Sequence, residues 1–254
     1  MGHLIQRVPW AQHRSGPVEI EWNNPMSDGL VFAICAEGGL RELVTGRVGR
    51  PSDKGLRGSI NGLGFNQMAT WSGYGSTCIF PAPRKAYSAL SIVGQISNVT
   101  GKTSYAGFFG SVNSAITATG KFDLYDNNAT TSMSAVQLYY NLHGDAWNTT
   151  KTVYIASTAS TNAFPLWQGN RVLSASWDKD QNSGFGRAFY DGVEVARTGG
   201  TAFTGVSDWT QATGPEYLLF PTFTGAGNFM YLFERSLTPE DHLKLARNPR
   251  QLIM

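Results

Sequence analysis

The 254-residue chain has few side chains spaced for covalent chemistry. Glycoside hydrolysis with retention needs two carboxyl groups about 5–5.5 Å apart. A strand can supply such a pair from alternate positions, which share a face. No Glu-x-Asp-x-x-Glu run occurs, and the nearest pair, Glu19 and Glu21, is expected to face solvent. Nucleophilic catalysis has no G-x-S-x-G elbow to rest on. The four histidines, His3, His13, His143 and His242, are scattered over a tail, a loop, a polar turn and a terminal helix. His242, beside Asp241, is expected to be exposed. Neither H-E-x-x-H nor C-x-x-C is present, so no zinc-site spacing is encoded. Cys35 and Cys78 are too few for a disulfide framework and are expected to be buried thiols.

Non-covalent chemistry has more candidates. Trp71, Tyr74, Trp147, Trp167 and Trp209 fall in stretches that read as loops. An exposed loop aromatic can stack on a sugar ring or pack on a protein partner. Arg41, Arg47, Arg50, Lys54 and Arg57 make the densest basic stretch, interrupted by Glu42 and Asp53. It reads as a solvated loop, or as a contact for an anion or a partner. The formal net charge of +2 gives no field for tracking nucleic acid. No apolar run approaches the roughly 18–20 residues that span a bilayer, so no membrane partner is expected. Met1–Arg7 lacks an apolar stretch of signal-peptide length, which points to synthesis in a cytoplasm. The N-x-S/T matches at Asn98, Asn128 and Asn148 then read as chance.

Short strands must position these groups. Charged residues are only 15% of the chain, aromatics are 12%, and there are 29 glycines. This composition suits strands joined by tight turns. Val18–Trp22 alternates apolar and polar, a short strand signal, and Leu30–Cys35 is an apolar run bounded by glycines. Ala86–Ile96, Ser134–Tyr140, Lys151–Ser157, Tyr217–Phe223 and Asn228–Phe233 also read as strands. Arg171–Trp177 and Arg187–Tyr190 are clearer. Asp191-Gly192 then joins Arg187–Tyr190 to Val193–Ala196, and Asp-Gly between apolar runs predicts a type I′ hairpin turn. One helix is predicted over 239–247. Thr238 is its N-cap, Pro239 its first residue, Glu240 and Asp241 its acidic first turn, and Asn248-Pro249 its stop.

Residues 171–196 (R-V-L-S-A-S-W-D…G-R-A-F-Y-D-G-V-E-V-A) and 229–248 (F-M-Y-L-F-E-R-S-L-T-P-E-D-H-L-K-L-A-R-N) resemble two units of concanavalin A-like, laminin-G-like jelly rolls. They match a strand–loop–hairpin unit and a closing strand followed by a short helix. Asn24-Pro25 through Ala33, with the ending Asn248-Pro249-Arg250-Gln251, resembles the brackets of laminin-G-like proteins of tailed bacteriophages. The resemblance implies an all-β, antiparallel two-sheet jelly roll with a short C-terminal helix. In that reading residues 28–254 form the sandwich and residues 1–27 an extended arm that lies on another subunit or across the sandwich.

The implied function is a non-enzymatic virion protein: a capsid decoration or minor capsid protein, or alternatively a tail-associated carbohydrate-binding module for host attachment. The implied partners are the major capsid protein or other virion proteins, further copies of the chain in a trimer or dimer, and, in the alternative, a host glycan. Trp10, Trp22, Arg41, Arg47, Arg50, Trp71 and Tyr74 are the expected partner-facing residues, and Trp147, Trp167 and Trp209 the expected glycan-stacking ones. No cofactor is implied except a calcium ion at the sandwich rim, which such folds often carry. Asp178, Asp180 and Asn182 are the first candidates for it, Asp123, Asp126 and Asn127 the second.

Overall fold

The computed structural model describes residues 18–35, 41–48, 88–95, 170–195 and 229–254 in full, and the backbone of the other strands named here. In chain order the strands are β1 (Leu30–Cys35), β2 (Arg50–Pro51), β3 (Leu56–Ser59), β4 (Gly62–Asn66), β5 (Cys78–Pro81), β6 (Ala86–Tyr87), β7 (Ala89–Thr100) and β8 (Ala106–Val112). They continue as β9 (Lys121–Asp126), β10 (Leu138–His143), β11 (Asn170–Asp178), β12 (Arg187–Tyr190), β13 (Val193–Val195), β14 (Trp209–Thr210), β15 (Glu216–Leu219) and β16 (Thr224–Phe233). The helix α1 spans Pro239–Arg247.

Every strand pairing is antiparallel. The larger sheet runs β13-β12-β11-β7-β16-β4-β3, with β1 also paired to β16. The smaller sheet runs β10-β9-β8-β15-β5-β2, and β14 pairs with β6. The architecture is the expected all-β jelly-roll sandwich with one short C-terminal helix. Consecutive side chains of a strand point to opposite faces, yet β7 and β11 are buried residue after residue. Leu90, Ile92 and Val93 are all fully buried, as are Leu173, Ser174 and Ala175. The larger sheet is therefore covered on both sides. One face packs toward the smaller sheet; the other packs under α1 and the chain ends.

That second, outer face carries Ala33, Cys35, Val93, Val172, Phe229, Tyr231 and Phe233, in one cluster with Leu237, Leu245 and Leu252. The Asp191-Gly192 turn docks against it. Asp191 (φ 48°) and Gly192 (φ 78°) are both left-handed, as a type I′ turn requires. A side chain at Gly192 would meet the Leu243 backbone at 2.6 Å, so helix and hairpin touch backbone to backbone. The helix start is as predicted. Asp241 N–H donates to Thr238 Oγ1 and Thr238 N–H to Asp241 Oδ2, a reciprocal capping box.

Three expectations are corrected. Val18–Trp22 forms no strand, only an isolated bridge from Ile20 to Ile253. The described part of the proposed arm, residues 18–27, belongs to the sandwich. Ile20 and Met26 are buried in the outer core, and Glu19 and Glu21 N–H donate to the Met254 and Leu252 carbonyls. Apolar side chains at 20 and 26 have a cluster to join, so this part of the arm lies across the sandwich. Residues 1–17 lie outside the described residues. Trp209 is on β14, paired with Tyr87, rather than in a loop. His242 is fully buried rather than exposed, because the helix turns it down onto β11. The expected strand over Ser134–Tyr140 shares Leu138–Tyr140 with β10 (Leu138–His143); residues 134–137 and Lys151–Ser157 lie outside the described residues.

Candidate functional site

A cleft of about 470 Å³ opens on the outer face, beside the N-terminus of α1. Its floor is the end of β11 with Ser176, next to Arg187 of β12 and Glu194 of β13. Ser176 and Arg187 are register partners, and strand alternation puts Glu194 on the same face. One wall is the linker Ser236–Pro239; the other is the loop between β11 and β12, with Asp178, Gln181, Asn182 and Phe185.

The loop holds its shape through its own polar groups. Asp178 Oδ1 accepts the Asp180 N–H (2.9 Å) and Oδ2 accepts the Gln181 amide (2.7 Å). The Asn182 amide donates to the Phe185 carbonyl (3.1 Å). Asn182, Ser183 and Gly184 are all left-handed, at φ 48°, 54° and 75°. Such a run is costly for residues bearing a Cβ and persists only where surrounding contacts impose it. The opposite wall is tied down by Ser91 of β7, whose hydroxyl donates to the Arg235 carbonyl (2.7 Å) and accepts the Leu237 N–H (2.9 Å).

Charge in the cleft is largely self-cancelling. Arg187 grips Glu194 with two N–H donors, Nε to Oε1 at 2.7 Å and Nη2 to Oε2. The hydrogen bond to Glu194 raises the guanidinium's affinity for its proton, and burial opposes it. At the α1 start, burial disfavours charge on Asp241. Hydrogen bonds from Thr238 and Arg235 outweigh it and hold the carboxyl below its usual range. The Ser176 hydroxyl is buried and has no protein partner. Both cleft carboxylates, Asp178 and Glu194, already hold donors on each oxygen. The arrangement can hydrogen-bond a ligand; it does not present a nucleophile with a base.

The expected site residues separate. Asp178 and Asn182 line the cleft, but Asp180 faces solvent beside Lys179 Nζ (3.3 Å). Among the described residues no group of three or more His, Cys, Asp or Glu could hold a metal. Trp22 is 55% exposed. Arg41 and Arg47 are exposed, Arg41 bridging to Val48. Arg50 lies on β2, opposite Ile79. Trp10, Trp71, Tyr74, Trp147, Trp167 and the second calcium set's Asn127 lie outside the described residues; Asp123 and Asp126 lie on β9. Glu19 is exposed, and Glu21 accepts the Asn23 N–H at 3.2 Å.

Sequence reasoning missed two groups. Glu42, read as dilution of a basic loop, is 2% exposed. Its Oε1 accepts the Ala33 and Val44 N–H groups, and its Oε2 the Thr45 N–H. The spacing Glu42-x-x-Thr45 between turn residues was the available signal. His242 places Nδ1 2.8 Å from Ser174 Oγ and stacks its ring on Phe189, centroids 3.8 Å apart. It resembles a nucleophile and base in isolation, but both residues are sealed from solvent. Burial, together with nearby Arg187 and Arg235, pushes the imidazole down to about 3 despite Asp241.

No family model and no curated protein matches this sequence. Solved structures do. The binding domain of botulinum neurotoxin DC, solved with rat synaptotagmin II, matches with a TM-score of 0.54 at 11% identity, covering 87% of this chain and 52% of that one. Trypanosoma rangeli sialidase with sialic acid matches with a TM-score of 0.54 at 14% identity, over 88% of this chain and 33% of that one. Domain 4 of the Geobacillus stearothermophilus arabinanase AbnA, in complex with arabinotriose, matches with a TM-score of 0.50 at 16% identity, over 85% of this chain and 98% of that one. The chain thus spans about half of the toxin domain and a third of the sialidase. At these identities the likeness establishes the fold alone: an antiparallel jelly-roll β-sandwich.

Proposed function

We propose that this chain is a non-enzymatic structural protein of a tailed-bacteriophage virion, a capsid decoration or minor capsid protein. It stabilises the shell through contacts with the major capsid protein and with one or two further copies of itself. The observation that carries this reading is the meeting of the two brackets of the phage resemblance. The Asn24 amide donates to the Gln251 carbonyl (2.8 Å), and the Tyr231 hydroxyl donates to the Pro249 carbonyl (2.9 Å). The opening Asn-Pro and the closing Asn-Pro-Arg-Gln therefore act as one structural clamp, which supports reading them as a single signature. Exposed Trp22 beside the clamp, with Arg41 and Arg47, supplies surface for shell contacts. A protein that binds only the assembled shell stabilises it by mass action. Cryo-electron microscopy of intact particles tests the reading. Density for this chain at symmetry-related lattice sites is expected; absence from the particle overturns it.

A second reading is a tail-associated carbohydrate-binding module. It is favoured by the polar, charge-compensated cleft, and by the fold shared over nearly the whole length of an arabinanase domain seen with arabinotriose. Density confined to the tail, with the cleft facing outward, is the expected result under this reading.

A further inference from the structure

We propose that the cleft between the α1 N-terminus and the β11–β12 loop is a saccharide site, other than the one expected at Trp147, Trp167 and Trp209. It would take about one or two sugar rings, within the volume range of small-ligand pockets. This rests on the carbohydrate reading and assigns it a place.

Three observations carry it. The Ser176 hydroxyl on the cleft floor is buried with no protein partner, and buried polar groups in native proteins are almost always satisfied by protein, water or ligand. The Arg187–Glu194 pair cancels its own charge while bordering the floor, so the site offers polarity without a net attraction for a phosphate or carboxylate. Among the described lining residues the other ionic side chain is Asp178, which disfavours an anion further. Phe185, Leu237 and Pro239 add an apolar wall against which a ring face can lie.

A neutral ligand that both donates and accepts at several points, with one apolar face, is a sugar. The walls are already fixed by the Asp178 and Ser91 hydrogen bonds, so little order need be lost on binding.

The test is saturation-transfer NMR of the full chain with arabinotriose, chitotriose and sialyllactose, each titrated to millimolar concentration. Three variants accompany it: Ser176→Ala, which removes the floor hydroxyl; Ser236→Phe, which fills the cleft; and a Trp147→Ala/Trp167→Ala/Trp209→Ala triple variant. The expected result is binding of at least one probe, weakened about tenfold by Ser176→Ala and abolished by Ser236→Phe, with the triple variant unchanged. Hydrogen exchange of residues 176–187 slowed by the bound sugar is a second readout that needs no variant. Loss of binding in the tryptophan variant alone overturns this site and leaves the carbohydrate reading standing. No binding of any probe overturns both.

Discussion

Ser174 Oγ lies 2.8 Å from His242 Nδ1, which joins the middle of β11 to the helix 68 residues later. The contact holds α1 on the sheet and sets one wall of the cleft. It also makes stability depend on pH. His242 is held neutral in the folded state, its pKa lowered to about 3 by burial, against about 6.5 when unfolded. Between those values the unfolded chain binds the extra proton, so stability rises with pH across that window. It is complete above about pH 6.5 and declines as pH falls toward 3, by about 1.4 kcal/mol per unit at most. Urea unfolding between pH 4.5 and 7 should show this slope, and His242→Phe should flatten it. An equal slope in the variant would assign the titration to another group.

Gly192 is confined twice, by its φ of 78° and by the Leu243 backbone 2.6 Å from where a Cβ would sit. Gly192→Ala should cost on the order of 2–4 kcal/mol, since neither the turn nor the helix can yield without losing the other. For a domain of this size that is a fall of roughly 5–15 °C in Tm, measurable by calorimetry. A change under a degree would mean that the hairpin and α1 do not touch as described.

Glu42→Gln replaces one of two oxygens that together accept three backbone N–H groups and the Thr45 hydroxyl. An amide N–H₂ would face those donors, and the loss should be about 2–3 kcal/mol. Amide exchange at Ala33, Val44 and Thr45 should accelerate selectively. Unchanged protection there would show that the carboxylate does not organise the 41–48 loop.

Deleting residues 252–254 removes Leu252 from the outer core and the carbonyls that receive Glu19 and Glu21. Residues 18–27 should then become sensitive to protease while the sandwich stays folded by circular dichroism. Resistance equal to the full chain would show that this segment is held by something other than the last three residues.

Asp178 spends both carboxylate oxygens within its own loop. Calcium and EDTA should therefore leave Tm alike, as read by differential scanning fluorimetry. Stabilisation by millimolar calcium that Asp178→Asn abolishes would restore the metal reading of that loop.

The local chemistry of this chain was legible from residue order alone. Asp191-Gly192 dictates its turn because few pairs tolerate two left-handed positions, and Thr238-Pro239 with Asp241 starts a helix wherever it lies. The apolar run Leu30–Cys35 is a strand of the same bounds. These signals act within a few residues. The site was decided at longer range. Whether His242 faces water or Ser174, whether Glu42 dilutes a basic loop or anchors it, and whether residues 18–27 stand off or dock depends on partners distant in the chain. The Asn24–Gln251 hydrogen bond spans 227 positions. Composition and periodicity do not encode which outer face remains open to receive a side chain, because burial is a property of the packed whole. The cleft follows the same rule: Ser176, Arg187, Glu194 and Thr238 share no motif and meet only because two strands, a hairpin and a helix start are stacked on one face.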